Sequence, residues 1–96
     1  MGYNNEHNLG DLLYTMLNQM GMAEQSEAIE VENIYRNIVG DLINKLTLSV
    51  RYERNILYIK LASAALRNEL SYKKQSLVDK INGQLKHGAV NEIIFE

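Results

Sequence analysis

The sequence predicts an α+β domain: a three-stranded sheet, antiparallel or mixed, with helices packed on one face, in the order ααββαβ. Three observations carry this reading. Leu9, Leu12, Leu13, Met16, Leu17 and Met20 recur with the i, i+3, i+4, i+7 period of an amphipathic helix. Leu46, Leu48, Val50 and Tyr52, then Leu57, Ile59 and Leu61, alternate with the period of two that marks half-buried strands. A long helical stripe then separates that hairpin from a last short apolar segment, "VNEIIF".

The first helix has Asn8 placed to cap it and Gly21 to end it. Its methionines, with Met22 just beyond, suit a soft partner-binding surface or core packing, and core packing is the expectation. A second helix is expected from near Ser26 to about Lys45, burying Ile29, Ile34, Tyr35, Ile38, Leu42 and Ile43. Gly40 interrupts it. Glycine inside a helix costs about 1 kcal/mol against alanine, so a close approach of another backbone is expected there.

The hairpin turns at "YERNI", where Asn55 tolerates left-handed backbone angles without a glycine. A third helix is expected over roughly 63–86, with Ser63 as its cap, Leu66, Leu70, Leu77, Ile81 and Leu85 on its stripe, and Gly88 in its C-cap region. Ala62, Ala64 and Ala65 would let its start lie close to the sheet. Lys74 falls beside the apolar stripe, so its stem snorkels or the helix is irregular there. With a strand on each side, this helix must lie across the sheet.

Ninety-six residues make one domain, 1–96, with 1–7 expected as a disordered leader. A net charge of -2 with 46% hydrophobic residues describes an ordinary globule rather than a polyanion-binding coat. Cysteine is absent, which removes disulfides, thiolate zinc sites and thiol nucleophiles together. No apolar run approaches the roughly 20 residues that span a bilayer, and "MGYNNEHNLG" lacks a signal-peptide layout. Glu6 stands where a myristoylation motif wants Ser or Thr. A cytoplasmic protein that engages no membrane is expected.

Catalytic chemistry finds no support. His7 and His87 have no partner at metal-ligand spacing, and the serines lack a G-x-S-x-G context. Glu24, Glu27, Glu30 and Glu32 open the second helix, where negative charge complements the macrodipole. No enzyme, catalytic residue, metal site or cofactor is expected.

Charge distribution says more than its sum. Residues 1–50 hold two bases against seven acids, a net of -5, and residues 51–96 hold eight bases against five acids, a net of +3. The bases of the second half are interleaved with Tyr52, Tyr58 and Tyr72. That mixture suits phosphate contact and base stacking on a single strand, or an ordinary solvated face. Alternation places Tyr58 and Lys60 together, opposite Leu57, Ile59 and Leu61. The nucleic-acid candidates are Arg51, Arg54, Lys60, Arg67 and Lys74 for phosphates, with Tyr52 or Tyr58 for stacking. Arg67 stands in a first helical turn, where the dipole disfavours a cation.

"IYRNIVGDLINKLTLSV", "NILYIKLASAALRNELSYKKQSLVDKIN" and "VNEIIF" resemble the DciA-type family of small bacterial proteins, formerly a domain of unknown function labelled with a zinc ribbon and RNA binding. The resemblance runs from Ile29 to Phe95 and rests on Tyr35, Ile38, Val39 and Gly40; Leu57, Ile59 and Leu61; Ser63, Leu66, Glu69 and Leu70; Ile93 and Phe95. Tyr35 and Leu66 replace the family's usual tryptophans, Asn55 its turn glycine, and no cysteine is present for a zinc ribbon. The resemblance implies a K-homology-like fold, a replicative helicase of the DnaB type as partner, and contact with single-stranded DNA. It implies no GxxG clamp, because that motif is missing. A protein-interaction module without nucleic acid, or a homodimer through the first helix or a free sheet edge, is the competing expectation.

Overall fold

A computed structural model describes residues 9–96. The expected leader, His7 and the Asn8 cap lie outside the described residues. Helix α1 spans Leu9–Gln19 and ends where Gly21 takes φ 77, as its glycine predicted. Leu13 and Leu17 turn half-buried toward helix α2, Ala23–Leu46. Met16 and Met20 do not reach the core: they are 57% and 67% exposed, and Leu12 is exposed beside them. The expectation of core packing is corrected here, because α1 rests mainly on α2 and one supporting helix covers only part of its apolar stripe.

α2 starts three residues before Ser26, whose buried hydroxyl donates to the Ala23 carbonyl at 2.7 Å. Val31, Ile34 and Tyr35 enter the core, with Ile38 and Ile43 packed against it. Gly40 breaks the helix with φ 84 and ψ -179, a region that is almost glycine-only. Nothing lies within 4 Å of where a Cβ would stand, so the backbone conformation itself, not a close neighbour, demands glycine. The break also resets the helical phase, which leaves Leu42 74% exposed rather than buried. Across it, the Asn44 amide donates to the Arg36 carbonyl at 2.8 Å and so meets a backbone group near the break.

Strands β1, Thr47–Glu53, and β2, Ile56–Leu61, pair antiparallel; β2 pairs in parallel with β3, Glu92–Phe95. The sheet is therefore mixed, in the order β1-β2-β3. The register slips between Thr47 and Ser49, and this bulge puts Leu48 outside the expected alternation, exposed to solvent. Arg54 and Asn55 make the two-residue turn at φ 55 and φ 66, the doubly left-handed geometry that matches strand twist.

The expected long third helix is two. Ser63 caps α3, Ala64–Ser71, accepting from the Leu66 amide at 3.0 Å as predicted. The chain then tightens: Tyr72 and Lys73 amides donate three residues back, to Glu69 and Leu70, while the Ser71 hydroxyl competes for the Arg67 carbonyl at 2.8 Å. Helix α4, Lys74–Gln84, resumes on a new axis, so Lys74 sits at a helix start rather than within a stripe. The break lets Val78 enter the core with Leu77 and Ile81. Ala62, Ala64 and Ala65 are exposed, which corrects the idea that they lie against the sheet.

Gly88 does not cap α4, which ends at Gln84. It serves the connecting loop, at φ 78, where a Cβ would stand 3.1 Å from Glu27 Oε1. The close approach of a backbone expected at Gly40 is not found there, and the atoms crowding Gly88 are side-chain ones. The same loop is held by Glu30, which accepts from the Lys86 amide at 2.9 Å and lies 3.1 Å from His87 Nδ1. Tyr52 and Asn55 donate to the Ala89 carbonyl at 2.7 and 2.9 Å, and Asn82 exchanges two 2.8 Å bonds with Val90.

All helices that touch the sheet lie on one face. Val50, Tyr52, Leu57, Ile59, Ile93 and Phe95 point into it and meet Tyr35, Leu70, Leu77, Val78 and Ile81.

Candidate nucleic-acid interface

Among the described residues no helix lies on the other face of the sheet. Strand alternation fixes its occupants: Ser49, Arg51 and Glu53 on β1, Ile56, Tyr58 and Lys60 on β2, Glu92 and Ile94 on β3. Arg51 and Tyr58 are direct cross-strand partners, and the Arg51 guanidinium lies 4.0 Å from the Tyr58 ring centroid. Such an exposed cation–π contact is worth about 0.5–1 kcal/mol. Arg51 Nη1 also donates to Glu53 Oε1 at 2.7 Å. The ring contact and the ion pair with Glu53 together hold the guanidinium over the phenol. Lys60 stands next along β2, exposed, opposite Ser49.

The remaining candidates are placed elsewhere. Arg54 is exposed at the hairpin tip, in left-handed backbone that costs a non-glycine residue roughly 1–2 kcal/mol. Arg67 reaches from α3 to the Glu96 carbonyl at 3.3 Å, so the cation in a first helical turn anchors the end of the chain. Lys74 lies 3.9 Å from Glu92 at the β3 edge. The sheet face thus groups Arg51, Tyr58 and Lys60, while Arg54 lies at the turn and Arg67 and Lys74 on the helices.

Tyr52 is corrected as a stacking candidate. It is 8% exposed, its ring is in the core and its hydroxyl is committed to Ala89. Burial pushes its phenol above the usual 10.0, with Glu27 adding to the rise and the Asn55 amide, which donates to the phenol oxygen, opposing it. One aromatic escaped selection: Tyr72, 84% exposed at the α3–α4 break and followed by Lys73 and Lys74. The sequence signal was present in "SYKK", but an uninterrupted helix hid its meaning.

Among the described residues no group of His, Cys, Asp and Glu can hold a metal ion, and no helix is long and apolar enough to cross a membrane. No curated protein and no solved structure matches the chain. A protein-family model described as "Dna[CI] antecedent, DciA" matches residues 8–95, and that family is associated with DNA replication and loading of the DnaB-type helicase. The match runs from the residue before α1 to the last residue of β3, well beyond the span read from Ile29 to Phe95, and the chain belongs to the DciA family.

Proposed function

We propose that this chain is a non-enzymatic adaptor of the bacterial cytoplasm that engages a DnaB-type helicase and holds single-stranded DNA on the open sheet face. The arrangement that carries the DNA part is the Arg51 guanidinium over Tyr58 with Lys60 beside it, on a face that no helix of the described residues covers. An arginine plane and an aromatic ring are sequence-tolerant stacking platforms, and neighbouring cations meet phosphates. Glu53 and Glu92 on the same face lower its net charge, which fits weak, transient contact rather than tight coating.

Binding of labelled single-stranded DNA to the unaltered chain, Lys60→Gln and the pair Arg51→Gln/Tyr58→Ala tests this. Loss of one phosphate contact in Lys60→Gln lowers the salt slope by about 0.7. Loss of one stacked base in the pair costs about 1–3 kcal/mol. Unchanged affinity in both variants refutes the assignment of the face. Cosedimentation with purified DnaB-type helicase tests the protein partner separately.

A further inference from the structure

α1 leaves a continuous apolar row facing away from the molecule. Leu12, Met16 and Met20 follow one another at four-residue spacing and are all exposed, while the half-buried Leu13 and Leu17 tie the helix to α2. Exposed apolar side chains in a row, two of them methionines, form the kind of surface that adapts to a partner's shape.

The surroundings identify the partner's charge. The segment from α1 to the end of α2 holds six acids against two bases, but Glu32 pairs with Arg36, Glu30 with His87, and Glu27 faces Gly88, so the charge beside the α1 row is that of Glu24. Glu24 is exposed at the start of α2, close in sequence to Met20, and α1 itself contains no lysine or arginine. An anionic lipid surface is opposed by that charge. A second copy of the same acidic surface is opposed as well. We infer that the α1 row, with the acidic start of α2, is a docking site for a basic amphipathic helix of a partner protein, its apolar side on Leu12, Met16 and Met20 and its cations toward Glu24. This is the helix-on-apolar-surface mode of recognition, with electrostatics choosing the partner. The inference rests on the adaptor reading and assigns its protein-binding surface to the end of the molecule that lacks the sheet-face cations.

The test titrates a labelled amphipathic peptide of leucine and lysine into the full chain, beside a leucine and glutamate peptide with the same apolar face. The lysine peptide is expected to bind and the glutamate peptide to fail. Met16→Gln/Met20→Gln is expected to weaken binding at least roughly tenfold, with unchanged circular dichroism because both side chains are exposed. Glu24→Gln is expected to reduce the salt dependence. Equal binding of both peptides, no effect of the methionine substitutions, or a concentration-dependent dimer that those substitutions abolish would each overturn the site. Helicase cosedimentation separates the two levels: helicase binding that survives Met16→Gln/Met20→Gln overturns this surface alone, whereas an unaltered chain that binds the lysine peptide but no helicase overturns the adaptor reading.

Discussion

Single residues carry the strongest constraints in this fold. Gly40 and Gly83 both have open space around the missing Cβ, yet only Gly40 has positive φ. Gly40→Ala should therefore cost about 1–3 kcal/mol of unfolding free energy. Gly83→Ala, inside helical backbone, should gain about 0.5–1 kcal/mol. Urea denaturation of the two variants separates conformational demand from crowding. Tyr35 hydrogen-bonds Thr47 across 3.0 Å at the junction of α2 and β1. Burial raises its phenol above 10.0, opposed by that hydrogen bond and by Arg36. The folded state then keeps a proton that the unfolded chain releases near pH 10. Stability is fully present below that pH and falls as pH rises beyond it. Tyr35→Phe should flatten this alkaline decline and cost about 1 kcal/mol at neutral pH for the lost bond. A pH series of thermal midpoints for the variant and the unaltered chain measures both.

At the scale of elements, periodicity located the three strands and the helical regions but read α3 and α4 as one helix, and the discrepancies arise where local phase changes. The bulge at Thr47/Ser49, which has no marker in a single sequence, displaced Leu48, and the break at Gly40, marked by the glycine but not in its effect on phase, displaced Leu42. The division of the third helix is similar. Leu70 and Leu77 are seven apart, so a straight helix satisfies the pattern as well as a bent one, and only the burial of Val78 requires the bend. Ser63 was legible because capping is local chemistry; Gly88 was not, because Glu27 lies 61 positions away in the chain. Tyr52 and Tyr58 were indistinguishable as candidates although strand alternation separates them, since Tyr52 shares the parity of the core residue Val50 on β1. The hairpin tip gives a prediction at this scale. Arg54→Gly relieves left-handed strain and should raise the thermal midpoint, while Asn55→Gly, which loses the bonds to Tyr52 and Ala89, should lower it.

For the whole molecule, the two ends differ in chemistry. The helical pair is acidic and displays methionines; the sheet and its surrounding helices hold the bases. On the proposed adaptor reading this polarity has a use, with the helical pair meeting protein and the sheet face meeting the DNA strand. The most direct check on the central claim is fluorescence anisotropy of labelled single-stranded DNA at about 50 and 200 mM salt. With roughly three phosphate contacts the slope is near -2, so the fourfold rise in salt should weaken binding about fifteen-fold. Affinity that is absent at the lower concentration, or unmoved between the two, would contradict DNA contact by Arg51, Lys60 and their neighbours.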